Sequence, residues 1–309
     1  MEVIFHVGLH KTGTTSFQRA LTRARDQLIS AGILYPVPPA VGGFFDQHAY
    51  LAALLRRGKF EDVGEYFDQA AAQVRGNPQL NTLIFSAEDF SFAPEYRALV
   101  KVATDKFGDF KTLLVLRNVV EITTSAQRQW VDRGTVAAAQ HLSERSLLNS
   151  MLETIRKVRS ISECAPRLIV LDYEDARTSG NMNDFFSRVC FGNRAPSLEN
   201  LRLNVGNHRD ESVVGLLISQ LRGLLATLRG SDPYSDSVVT EIAEIVDMEA
   251  VKRSVRPERA KQFAKYYEDR VREIVTQIFV KNRTEIEAEL APLDPLYRQM
   301  LVRNLGEIS

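Results

Sequence analysis

The sequence predicts an α/β protein: a three-layer fold with a central parallel sheet and a helix-rich C-terminal part. Three observations carry that expectation. Short apolar runs rich in β-branched and aromatic residues recur along the chain, and amphipathic stretches of helical length separate them, the alternation of βαβ units. The first run leads into a turn containing Gly8 and Gly13 and then a helix start at Thr14-Thr15-Ser16, so the fold expected is P-loop-like. Beyond about residue 206 no convincing strand pattern remains, and the chain reads as helices.

The elements follow in order. Glu2 to Val7 reads as a buried strand, and the helix opened by Thr14 is expected to run to about Ala31. Gly32 to Pro36 reads as extended, Val37 to Asp46 as a loop rich in Pro and Gly. His48 to Arg57 and Phe60 to Val74 are amphipathic helices, Thr82 to Ser86 a strand, Pro94 to Phe107 a helix. Lys111 to Leu116 is an apolar strand followed by a helix; a helix-rich stretch spans Leu142 to Ile161, and Arg167 to Asp172 is the next strand. Asp210 to Arg229, Val238 to Arg253 and Pro257 to about Leu290 are helical patterns separated by Ser-Asp-Pro and Arg-Pro breaks. Parallel sheets bind ligands beyond the carboxyl ends of their strands. Gly8, Ser86, Arg117 and Asp172 all fall near such ends, so one site can gather them.

Composition narrows the class. Of 309 residues, 44% are hydrophobic and 25% charged, as in ordinary soluble domains with a real core. Lys plus Arg equals Asp plus Glu at 39 each, which gives no bulk electrostatic case for nucleic acid as a partner. Two cysteines, Cys164 and Cys190, make no disulfide framework and read as buried thiols among apolar neighbours. The chain starts almost directly on its first strand, without the pattern of a signal peptide, and no apolar run approaches a membrane span. The expectation is a soluble, cytoplasmic protein.

The first loop carries the chemistry. A helix N-terminus offers free N–H donors and a positive dipole end, so an anion belongs there. Yet Gly8-Leu9-His10-Lys11-Thr12-Gly13-Thr14-Thr15-Ser16 is not a Walker A loop, in which Lys follows the second Gly directly. Lys11 comes two residues before Gly13, and Thr14 stands in the Walker lysine's place. The form Lys11-Thr12-Gly13-Thr14-Thr15 resembles the 5′-phosphosulfate loop of sulfotransferases that use 3′-phosphoadenosine-5′-phosphosulfate. A plain Gly-containing βα turn and a nucleotide kinase with an altered loop are the other readings of these residues.

Two further stretches share the resemblance. The strand Lys111 to Leu116 ends in Arg117-Asn118, and Ser125 stands eight positions after Arg117. Sulfotransferases carry such an Arg and Ser, with Pro usual where Val119 stands here, to hold the nucleotide's 3′-phosphate. The chemistry suits the residues, since an arginine fork matches phosphate oxygens. Arg167 to Ala176 resembles the family's strand followed by Tyr-Glu-Asp-Leu, and Asn183 to Gly192 its short helix ending in Phe-Leu-Gly. Tyr173 and Glu174 read mainly as structural, through capping or pairing with Arg.

The resemblance implies a single sulfotransferase domain over 1–309, with an α/β core at 1–205 holding the nucleotide site. The helical region at 206–309 would cover the site or shape an acceptor pocket. It implies that 3′-phosphoadenosine-5′-phosphosulfate is the donor, that no metal is required, and that a carbohydrate, glycolipid or other small-molecule hydroxyl is the acceptor. Lys11 would stabilise the leaving phosphate. His10, Lys11, Thr12, Gly13, Thr14, Thr15 and Ser16 would line the loop around it, with Arg117 and Ser125 at the 3′-phosphate. The base is less defined. Cytosolic sulfotransferases place a His where this chain has Ser86-Ala87-Glu88-Asp89; other branches use a Glu, which makes Glu88 the first candidate and His48 the second. Arg128, Trp130 and Arg133 are candidates for an acceptor groove, although Trp130 reads first as a core-packing residue, and Asn204 to Arg209 is a candidate for a loop over the nucleotide. The rivals are a P-loop kinase-like phosphotransferase, which would need Mg²⁺ ligands, and a non-catalytic nucleotide-binding protein of the same fold.

Overall fold

The computed structural model describes residues 1–9, 11–37, 48–132, 144–201 and 257–303. Its centre is a parallel sheet of five strands in the order β2-β3-β1-β4-β5. The strands are β1 (Glu2–Gly8), β2 (Ile33–Leu34), β3 (Thr82–Ala87), β4 (Lys111–Leu116) and β5 (Arg167–Asp172). β1 lies between β3, with Phe5 opposite Phe85, and β4, with Phe5 opposite Thr112. Such a strand is covered on both faces, which is why Val3 to Val7 is apolar apart from His6.

Alternation along β1 sends the two faces to different helices. Ile4 joins Phe17 and Leu21 of α1 (Thr14–Arg23) and Leu28 of α2 (Arg25–Ser30) in one buried cluster. Phe186 and Cys190 of the helix Met182–Phe191 complete that cluster. On the other face lie α3 (Ala49–Arg56), α4 (Phe60–Gly76) and α5 (Ala93–Phe107). There Phe5 stacks on Phe85 at 5.1 Å and meets Phe110 edge-on at 5.1 Å and Phe67 of α4 at 5.6 Å. Aromatic pairs in these geometries add to the area they bury.

Two local expectations change. The helix from Thr14 is two helices, because Ala24 leaves helical geometry at φ −93°, ψ 17°. The bend keeps both Ala24 and Leu28 buried in the same cluster. Cys190 is buried, and burial pushes its thiol pKa up, but Cys164 is only half-buried at the end of the helix Glu144–Cys164.

The chain divides into two compact units. One comprises Met1–Asn118, Thr154–Leu203 and Glu289–Gly306; the other Val119–Glu153, Asn204–Ala288 and Glu307–Ser309. Numbered in chain order, α6 is Val119–Asp132, α7 Glu144–Cys164, α8 Tyr173–Thr178, α9 Met182–Phe191, α10 Pro257–Lys281, α11 Arg283–Leu290 and α12 Pro295–Val302. In the first unit Glu289 accepts from Arg156 at 2.7 Å and Arg159 at 3.0 Å. Those two guanidiniums hold the Glu289 carboxyl below its usual range. In the second unit α6 packs on α10, with Arg272 paired to Glu121 at 2.9 Å, and Lys281 pairs with Glu144 at 2.8 Å. The stretches Asp210 to Arg229 and Val238 to Arg253 lie outside the described residues.

Candidate phosphate-loop site

The site begins where β1 ends. Gly8 is there because α1 comes too close for a side chain: a Cβ at Gly8 would lie 1.9 Å from Thr14 Cγ2. Thr12 donates its hydroxyl to the Leu9 carbonyl at 2.7 Å and is fully buried, closing the turn from inside. Lys11 (φ 69°) and Gly13 (φ 79°) both take left-handed backbone, and Lys11 is the one non-glycine to do so among the described residues. A lysine held there costs conformational energy, and such strain persists only where the surroundings enforce it.

Part of what enforces it is Arg117. Its guanidinium, just past the end of β4, donates to the Lys11 carbonyl at 2.8 Å and lies over the Tyr173 ring at 4.6 Å. Sequence reasoning gave Arg117 a ligand-binding role; its grip on the loop had no signature in the sequence, because it joins residues on two strand ends. Gly13 in turn faces α9, where a Cβ would come within 2.1 Å of Met182 Cε.

At the start of α1 the Ser16 and Phe17 amides return to the Gly13 carbonyl at 3.1 and 3.2 Å, and no side chain caps the helix. The Thr14 hydroxyl donates to Glu88 Oε1, and that of Thr15 lies 3.4 Å from the same oxygen. Glu88 opens the 3₁₀ turn Glu88–Ser91 directly after β3. Its carboxylate therefore sits at the positive end of α1, the favourable place for a negative charge. The Ser16 hydroxyl is used internally, donating to the Leu201 carbonyl and accepting from Asn183 at 3.2 Å. The hydroxyls of Thr12 and Ser16, and the Ser16 amide, are therefore used inside the fold.

His48 stands at the N-cap position of α3, its side chain making no cap bond, and is fully buried. Its Nδ1 accepts the Ser86 amide at 3.1 Å, its own amide donates to the Ser86 carbonyl at 2.8 Å, and its ring packs edge-on to Tyr35 at 5.0 Å. Burial pulls its pKa down to about 3. That environment braces α3 against β3 and leaves the imidazole no open face for an acceptor hydroxyl. Of the two base candidates, Glu88 is the one with partial exposure.

Sequence reasoning missed a second buried histidine. His6 Nδ1 meets Ser86 Oγ at 2.7 Å, and Gln18 of α1 donates to the same oxygen at 3.1 Å. His6 Nε2 is buried without a hydrogen-bond partner among the described residues, and burial lowers the ring's pKa to about 4. The available signal was a single polar residue inside an apolar strand run.

The remaining candidates are quickly placed. Ser125 is half-buried on α6, in the second unit. Asp172 caps α8, accepting the Glu174 amide at 2.8 Å, and pairs with Arg303 at 2.7 Å; Glu174 pairs with Arg177 at 2.7 Å. His10, Arg133 and Asn204 to Arg209 lie outside the described residues, as do the side chains of Arg128 and Trp130. No group of three or more His, Cys, Asp and Glu among the described residues is arranged to hold a metal ion, and no described helix is long and apolar enough to cross a membrane.

The close approach at Gly8 sets a test of the loop. Gly8→Ala forces Thr14 away and is expected to destabilise the fold by about 1–3 kcal/mol, the usual range for overpacking. Adding Thr14→Ser removes the Cγ2 methyl that meets the new Cβ at 1.9 Å and is expected to recover most of that loss in denaturant titrations. Equal losses in the single and double variants would show that the contact does not govern the position.

No protein-family model matches the chain, and no curated protein matches it closely. Among solved structures, a sulfotransferase from Alicyclobacillus acidocaldarius resembles it at 17% identity, over 75% of this chain and 97% of that one, with a TM-score of 0.39. A likeness of that size bears on neither donor nor acceptor, and the functional reading stands on the chain's own residues.

Proposed function

We propose that the chain is a sulfotransferase that takes its sulfuryl group from 3′-phosphoadenosine-5′-phosphosulfate and passes it to a hydroxyl, with a carbohydrate or glycolipid as acceptor. The observation that carries this reading is the loop itself: a left-handed Lys11 one turn ahead of the α1 N-terminus, two threonine hydroxyls at that terminus, and Arg117 gripping the loop from the neighbouring strand. These groups fit a 5′-phosphate bearing a good leaving bond. Loop and helix amides hold the phosphate oxygens, and Gly8 and Gly13 keep the main chain free of side chains.

The donor supplies a sulfuryl group on a phosphate leaving group; the chain supplies position and charge. The acceptor oxygen bonds to sulfur as the bridging S–O bond breaks, and the electron pair leaves with the 5′-phosphate. Lys11 meets the charge that develops there. Glu88 takes the proton from the acceptor hydroxyl. The assignment of Arg117 and Ser125 to the 3′-phosphate rests on their sequence pattern.

The test is thermal shift with 3′-phosphoadenosine-5′-phosphate against AMP and against ATP with Mg²⁺, since a ligand that binds only the native state raises its melting point. The 3′-phosphorylated nucleotide is expected to give the largest shift. Arg117→Ala is expected to abolish its advantage over AMP, a loss on the order of 1.5–3 kcal/mol for a charge-assisted contact. Equal shifts from 3′-phosphoadenosine-5′-phosphate and AMP in the parent protein would refute the donor assignment. A shift only with ATP and Mg²⁺ would favour a kinase.

A further inference from the structure

Glu88 lies where an anionic ligand of the loop would lie. The Thr14 and Thr15 hydroxyls both approach one of its carboxylate oxygens. The carboxylate is not a loosely placed surface group, because its backbone is fixed on both sides. β3 runs into it through the fully buried Ala87, and the turn it opens buries Phe90 and Ser91 completely. Its field also reaches the buried His6 of β1. A phosphate at the α1 N-terminus would need the same two hydroxyls, and two anions at one helix end repel each other.

We propose that Glu88 is an internal counter-anion of the phosphate loop, displaced from Thr14 and Thr15 by the donor's 5′-phosphate, so that its carboxylate becomes available as a base only after the donor has bound. The idea rests on the sulfotransferase reading above and adds a sequence of events to it. Before binding, the two hydroxyls engage the carboxylate. After binding, they serve the phosphate, and Glu88 is left beside a second anion. Released from those two donors, the carboxylate can take the proton of an acceptor hydroxyl. The coupling makes donor binding the step that arms the site. It also keeps the carboxylate occupied while no sulfuryl group is present.

The experiment is calorimetric titration of 3′-phosphoadenosine-5′-phosphate into the parent protein, Glu88→Gln and Glu88→Ala, with melting curves of each protein alone to establish that it folds. Removing the competing charge is expected to tighten nucleotide binding by about tenfold in both variants. Sulfate transfer is expected to fall in the same two, so that affinity and turnover move in opposite directions. Thr14→Val, which leaves Glu88 in place, is expected to weaken nucleotide binding. A merely structural Glu88 would loosen binding on truncation, so unchanged or weaker affinity in both Glu88 variants overturns the inference. If the parent protein does not bind the nucleotide at all, the sulfotransferase reading falls, and this inference falls with it; binding by the parent without tightening in the variants sinks the inference alone.

Discussion

Lys11→Ala is expected to slow sulfate transfer by about 10²–10³-fold, the usual consequence of removing one group that stabilises charge in the transition state. The same substitution is expected to weaken binding of 3′-phosphoadenosine-5′-phosphate far less. In the proposed transfer the phosphate gains negative charge as the bridging S–O bond breaks, so a cation beside it acts more strongly in the transition state than in the ground state. The backbone makes the test sharper. Lys11 is held at φ 69° with its carbonyl accepting from Arg117. Alanine tolerates that conformation no better than lysine, so the loop strain is common to both proteins and the difference reports the ammonium. Lys11→Gly removes both the ammonium and the strain and serves as the control. Transfer rates with labelled donor, measured beside calorimetric affinities, separate the two effects. Parent-like transfer by Lys11→Ala would remove Lys11 from the chemistry.

Acid is expected to unfold this protein earlier than its net charge suggests. His6 and His48 are both fully buried, and burial lowers their pKa values from 6.5 to about 4 and about 3. In the unfolded chain both regain ordinary values. Between pH 6.5 and 4 the unfolded state therefore binds more protons than the native state, and stability falls as pH falls. The contribution is fully present above pH 6.5 and is lost on the way down, with His6 levelling off near pH 4 and His48 near pH 3. At about 1.4 kcal/mol per pKa unit, the two together remove several kcal/mol, a large share of ordinary domain stability. Urea titrations from pH 7 to pH 4 are expected to show that slope, and His6→Gln to reduce it. A flat stability profile over this range would mean that the histidines are protonated without unfolding the sheet.

His6 also shows how far the sequence could be read. Val3 to Val7 was legible as a buried strand because apolar residues on both faces are what a central parallel strand requires. The same run placed a histidine in the core without saying what it touches. Its partner Ser86 is eighty positions away, brought opposite by the β1–β3 register. His48 was a helix-start residue in the sequence and is one in the structure, but its burial came from β3 and Tyr35, which no local pattern announces. Glu88 was legible as a carboxylate after a strand; that it takes two hydroxyls at the α1 N-terminus was not.

Local chemistry set the strand positions, the turn glycines and the helix start at Thr14, because each depends on side-chain shape, backbone freedom and period within a few residues. That is why the parallel sheet and the Gly8-to-Ser16 loop could be read directly from the chain. Long-range contacts decided the rest. Arg117 reaches Lys11 across 106 positions and Arg303 reaches Asp172 across 131, and the α1 N-terminus meets Glu88 only because β3 lies beside β1. Those partners are chosen by which strand ends the folded sheet brings together, and spacing along the chain carries no record of that choice.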